Sequence, residues 1–124
     1  MTTNAMENEQ SRIFIELYRY KPAWTALEEG QRADYIAKVI ANVGQLAGIG
    51  IRVIGYGRND GFTSQRAAYD FFCVYLIPNA DTQRAFESQI AKSGWYDFFD
   101  QVNVSGNATP YADLLSSHVK DVRR

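Results

Sequence analysis

Five polar side chains stand on stretches that are otherwise apolar: Glu16 and Tyr18 near the start, Arg52 and Tyr56 midway, and Tyr75 in the run Tyr69-Asp-Phe-Phe-Cys-Val-Tyr-Leu-Ile77. A carboxylate in apolar surroundings can take a proton from a phenol or enol, and an arginine with tyrosines can hold the anion that forms. Glu16, Arg52 and Tyr56 are therefore the candidate catalytic set, provided that Glu16 and Arg52 face one cavity. Tyr18, Tyr75, Trp95 and His118 are the candidate substrate contacts. A blander reading uses the same residues: Glu16 and Arg52 form an ion pair at a sheet edge or dimer seam, Trp95 packs back on Ile90 past Gly94, and His118 is a surface residue.

Other chemistries find little support in the sequence. One histidine cannot build a His-rich metal site, and haem ligation would fall to His118 alone. Cys73, the single cysteine, lies in the most apolar stretch and reads as a packing thiol in a reducing compartment. Gly48-Ile-Gly50 follows a helical pattern and precedes a strand, the reverse of the dinucleotide-binding context. No Ser-His-Asp or Cys-His spacing stands out. No metal or cofactor is expected.

The 124 residues carry a formal net charge of −1 and no cluster of Lys or Arg, which argues against a nucleic-acid partner. Arg123 and Arg124 read as an ordinary solvated end. Residues 1–10 have neither a basic region nor an apolar run, and Phe71 to Ile77 is too short to span a bilayer, so the expected location is the cytoplasm, without membrane contact. Aromatic residues are plentiful, with 8 Tyr, 7 Phe and 2 Trp. Tyrosine covers apolar surface while its hydroxyl seeks a partner, which suits a cavity or an interface.

The elements that must position these residues follow from periodicity. Residues 1–11 read as a disordered arm, and residues 12–124 as one domain. Ile13 to Tyr20 is a strand with Ile13, Ile15 and Leu17 on one face and Phe14, Glu16, Tyr18 and Tyr20 on the other. Thr25 and Glu28 have capping-box spacing. Gln31 to Ala47 is a helix with Ile36, Val39, Ile40, Val43, Leu46 and Ala47 in one stripe, Gly48 at its left-handed stop, and Ile49 folding back on Val43. Ile51 to Gly57 is an edge strand, joined through the Asn59-Asp60-Gly61 turn to the central strand ending at Pro78. A second helix, capped by Asn79 or Asp81, runs to Ser93 with Ala85, Phe86 and Ile90 inward. A short helical turn from Trp95 leads to a strand near Gln101 to Ser105. Thr109-Pro110 opens a tail helix with Leu114, Leu115, Val119 and Val122 as its inner stripe.

Strand, helix, strand, strand, helix, strand is the order of an α+β, ferredoxin-like βαββαβ unit: a four-stranded antiparallel sheet, two helices on one face and an extra C-terminal helix. Its first and third strands are central, and those are the two that are apolar in both phases. Helices on one face leave an aromatic face carrying Phe14 and Tyr18, or their counterparts, for a second copy to cover.

Over about residues 12 to 106 the chain resembles the dimeric α+β barrel superfamily, in which two such sheets pack face to face. Trp24-Thr-Ala-Leu27 with Gln31-Arg32, and Ser93-Gly-Trp95, look like small uncharacterised bacterial members. The resemblance implies a homodimer. Relatives include cofactor-independent monooxygenases of polyketide quinols, muconolactone-type isomerases, haem-degrading enzymes and proteins without known activity, so the fold does not fix the chemistry. Three classes stay open: an enzyme acting on a small aromatic or polyketide-like compound, a non-catalytic binding module for such a ligand, and a structural dimerisation protein.

Overall fold

The computed structural model describes residues 11–122. Residues 1–10 of the expected arm at 1–11, and the basic end at 123–124, lie outside the described residues. Ser11, which the expected arm included, is buried, and its carbonyl accepts from the Ala108 N–H, so that residue belongs to the folded domain.

Four strands, β1 (Arg12–Tyr20), β2 (Arg52–Arg58), β3 (Phe71–Ile77) and β4 (Phe99–Asn107), form one antiparallel sheet in the order β2-β3-β1-β4. The two strands that are apolar in both phases are the central ones, as their composition requires. Five helices accompany them: α1 (Pro22–Thr25), α2 (Glu29–Val43), α3 (Ala80–Lys92), α4 (Trp95–Phe98) and α5 (Tyr111–Ser117), with a 3-10 turn at Leu46–Ile49. The unit is the expected ferredoxin-like α+β fold with an added C-terminal helix.

Both phases of β1 are apolar, so alternation could not say which one faces the helices, and the expected aromatic outer face is reversed. Phe14 is fully buried beneath α3, its ring 5.9 Å from that of Phe86 and 6.0 Å from that of Tyr75 on β3. Edge and tilted pairs of this kind contribute about 0.5–1.5 kcal/mol each beyond their area. Register then assigns both sides of the sheet. Glu16 lies opposite Cys73 and Tyr18 opposite Phe71, so the helix-facing side carries Phe14, Glu16, Tyr18, Phe71, Cys73 and Tyr75. The other side carries Ile13, Ile15, Leu17, Phe72, Val74 and Leu76, continued onto β4 by Val102 and Val104, which are 42% and 59% exposed.

Local signals moved by a few residues. Thr25 does not cap α2: its hydroxyl bonds back to the Pro22 carbonyl, while Glu28 and Gln31 form the capping box. Gly50, not Gly48, takes the left-handed conformation, with φ of 84°. Ile51 N–H reaches back to the Leu46 carbonyl and Ile51 is buried, whereas Ile49 is exposed. The fold-back residue is thus Ile51. β4 is longer than expected, since each of its residues from Phe99 to Asn107 pairs with β1. Every residue of α5 is exposed, and Leu114, Leu115, Val119 and Val122 do not form an inner stripe on this chain.

One property of α2 locates the site. The helix has no fully buried residue although its inward stripe is apolar. Val39 and Val43 line a cavity of about 680 Å³ between helix and sheet.

Candidate functional site

The floor of this cavity is the helix-facing side of the sheet, and Glu16 sits on it. Register sets Asn103, Glu16, Cys73 and Tyr56 in one row across the four strands, with Tyr18 and Tyr75 in the rows on either side. α2 and the 3-10 turn supply Val39, Asn42, Val43, Leu46 and Ile49 to one wall, and α3 supplies Ala85, Phe86, Gln89 and Ile90 to the other. Trp95, at the start of α4, closes one end. The left-handed Gly94 before it turns the chain from α3 into this position.

Glu16 is 6% exposed, and both its oxygens are engaged. Tyr75 donates its hydroxyl to Oε1 at 2.9 Å, and Gln101 donates its side-chain amide to Oε2 at 3.0 Å. The Tyr56 and Tyr75 hydroxyls lie 3.0 Å apart, so with Glu16 ionised the donation runs from Tyr56 to Tyr75 to the carboxylate. Tyr56 is 49% exposed, which makes this chain of bonds a link from the surface at β2 to the buried acid. Behind Gln101, the Trp95 indole donates to its carbonyl at 2.8 Å.

Burial sets the protonation of the site. It raises the Glu16 carboxyl above the usual carboxylate range, against the opposing pull of the bonds from Tyr75 and Gln101. No Lys, Arg or His among the described residues pairs with it. Desolvation also raises Tyr18, to about 12, with the nearby Glu16 charge adding to the effect, and it raises Tyr56 and Tyr75. All three tyrosines therefore present phenol hydroxyls, not phenolates. The Tyr18 hydroxyl has no hydrogen-bond partner among the described residues, which leaves it for a ligand. Burial pushes the Cys73 thiol to about 11, so it stays protonated beneath this row.

Of the seven residues singled out from sequence, the fold brings five to this cavity: Glu16, Tyr18, Tyr56, Tyr75 and Trp95. Arg52 is not among them. It pairs with Leu76 on the opposite side of the sheet, because a bulge between Val53 and Gly55 inserts Ile54 and shifts the alternation of β2. Tyr56 returns to the cavity side and Arg52 does not, so neither the shared Glu16–Arg52 cavity nor their ion pair forms. His118 caps the exposed α5 and lines no part of the cavity. Among the described residues no group of three or more His, Cys, Asp or Glu is placed to hold a metal ion. Trp95 has a part beyond that of a helix stop. It stacks on Phe99 at 3.8 Å, stands edge-on to Tyr18 at 5.3 Å, and contributes its indole N–H to the network.

Gln101 was not anticipated. Its signal was the alternation Gln101, Asn103, Ser105, a polar phase on a strand whose other phase carries Val102 and Val104. Polarity alone suggested a solvent-facing phase, whereas Gln101 in fact turns inward to Glu16.

Comparisons with known proteins agree with this geometry. No curated protein sequence matches the chain. Chlorite dismutase from Candidatus Nitrospira defluvii in complex with imidazole superposes with a TM-score of 0.68 at 14% identity, over 86% of this chain and 43% of that one. A mutant of that enzyme in complex with cyanide gives 0.67 at 15% identity, over the same 86% and 43%. A dimeric ferredoxin-like protein of unknown function from Thermobifida fusca YX gives 0.48 at 17% identity, covering 81% of this chain and 92% of that one. At such identities the likeness to chlorite dismutase establishes the fold alone, and this chain spans less than half the length of those chains. No helix among the described residues is long and apolar enough to cross a membrane. The fold is ferredoxin-like α+β. Residues 11–121 match the model described as "Family of unknown function (DUF6616)", and the chain belongs to that family.

Proposed function

We propose that this protein is a homodimer that binds a small aromatic or polyketide-like compound between its sheet and helices, and acts on it as a cofactor-independent monooxygenase or isomerase. The observation that carries the reading is a buried carboxyl, Glu16, on the floor of a cavity of about 680 Å³ with otherwise largely apolar and aromatic walls. That size and lining suit a drug-sized organic molecule. With its affinity for protons raised by burial, Glu16 is suited to take a proton from a bound phenol or enol and to return it elsewhere. Charge left on the ligand would meet phenol hydroxyls, Tyr18 foremost, and not the guanidinium of Arg52. The side of the sheet bearing Ile15, Leu17, Val74, Val102 and Val104 is the surface for the second copy.

One feature favours a second reading, a binding module without turnover. Both Glu16 oxygens are already hydrogen-bonded within the protein, an arrangement that holds a ligand contact in place as well as it poises a base. Native mass spectrometry of freshly purified protein, then of the same sample denatured, tests the shared part: a dimer releasing a small molecule is expected, and a stable, empty monomer would overturn it. Oxygen uptake and isomer analysis with quinol substrates then separate the two readings. Turnover lost in Glu16→Gln supports the enzyme, whereas binding without product supports the module.

A further inference from the structure

Three observations bear on what the cavity would select. Among the described residues, Glu16 is the one acidic side chain on the cavity lining and has no cationic partner. The only cationic residue on the lining among the described residues is Lys92, which is exposed. Arg58, on the same side of the sheet, is stacked over Phe71 at 5.3 Å and does not line the cavity.

The walls beside Glu16 are rings set in corners. Tyr56 and Tyr75 stand at 87° with centroids 6.0 Å apart, and Tyr18 and Trp95 at 71° with centroids 5.3 Å apart. Two such near-perpendicular pairs beside a carboxyl combine ring quadrupoles with a formal negative charge, and both attract a cation. The same field opposes a carboxylate or a phosphate. Arg52, which would have balanced the charge, lies on the far side of the sheet.

We infer that the ligand of this cavity carries a basic nitrogen, an aromatic amine or substituted ammonium whose positive group sits at Glu16 between the two ring pairs. The inference rests on the reading that the cavity holds a small aromatic ligand, and it narrows the class. The apolar body of the ligand lies along Val39, Val43, Phe86 and Ile90, while the nitrogen donates to the lone pairs that Tyr75 and Gln101 leave open on Glu16.

Titration calorimetry on the full chain at neutral pH, with three probes that share a ring and differ in charge, tests this: 2-phenylethylamine, 2-phenylethanol and 3-phenylpropionate. The amine is expected to bind about tenfold tighter than the alcohol, with the propionate weakest. Glu16→Gln should bring the amine to the level of the alcohol. An alcohol or propionate that binds as well as the amine would overturn the inference while leaving the cavity reading intact, and so would an amine preference that survives Glu16→Gln. Binding of none of the three overturns the cavity reading itself, and this inference with it. The charge series on unaltered protein decides the matter even if Glu16→Gln fails to fold.

Discussion

Trp95 Nε1 donates to Gln101 Oε1 at 2.8 Å, and because an indole can only donate, this single bond decides which way round the Gln101 amide sits. The amide nitrogen is thereby aimed at Glu16 Oε2, 3.0 Å away, and at Asn103 Oδ1, 2.9 Å away. A residue at the start of a four-residue helix thus governs the environment of an acid on the sheet.

Replacing Gln101 with Met keeps the bulk and removes the amide. Glu16 then loses one of the two bonds that favour its charged form, so its titration midpoint should rise further, read from the carboxyl carbon resonance. Leaving Trp95 and Glu16 each short of a partner should also cost about 1–2 kcal/mol of stability in urea denaturation. An unchanged midpoint would mean that this bond is too weak to matter.

Stability should fall as pH rises past the acid range. The Glu16 carboxyl is raised above its ordinary 4.5, so the native state holds this proton more tightly than the unfolded chain does. Its contribution is fully present below the unfolded value and is lost as pH climbs through the higher folded value. Glu16→Gln should flatten that part of the curve. The amide would also set a donor against Gln101 or Tyr75, but that penalty does not vary with pH, so the comparison rests on slope. Parallel curves for the two proteins would count against a raised Glu16.

Val104→Lys puts a charge on the edge strand β4 of the uncovered sheet face, at a site 59% exposed, so a single chain should lose little stability. If that face pairs with a second copy, light scattering after gel filtration should report a monomer where the unaltered protein gives a dimer. A Val104→Lys protein that stays dimeric would move the interface elsewhere.

A Cβ on Gly57 would overlap the ring of Phe72, which lies across it on the same face. Gly57→Ala should therefore destabilise the protein by about 1–3 kcal/mol. Adding Phe72→Leu, which withdraws the ring, should restore part of the loss. Additive costs in the double variant would mean that the two positions do not interact.

The architecture was legible because it depends on quantities that a sequence displays. Strand β3, apolar in both phases, had to be central, and the Gly- and Arg-bearing β2 had to be an edge. The phase of β1 was not legible: Ile13, Ile15 and Leu17 are as apolar as Phe14 and Tyr18, and only the packing of Phe86 on Phe14 separates them. Arg52 was misplaced for a different reason. Strict alternation puts positions 52 and 56 on one face, and the extra residue Ile54 breaks that parity; the adjacent Gly55 was the available signal of a bulge but read only as a mark of an edge strand. Gln101 was hidden by its ordinary polarity, and α5 by a stripe that looks internal but meets nothing in this chain.

The strand order has a consequence for the ribosome as well as for the fold. β1 pairs with β3 and β4 and never with β2, so the nascent strand has no partner until Phe71 and its neighbours are made. At about 5–20 residues per second that is a wait of several seconds with both edges bare. Ile13-Phe-Ile-Glu-Leu-Tyr-Arg-Tyr20 would be an aggregation-prone stretch throughout that interval but for the charge at its centre. Glu16, which the finished protein buries at a cost, is in the unfinished one a gatekeeper.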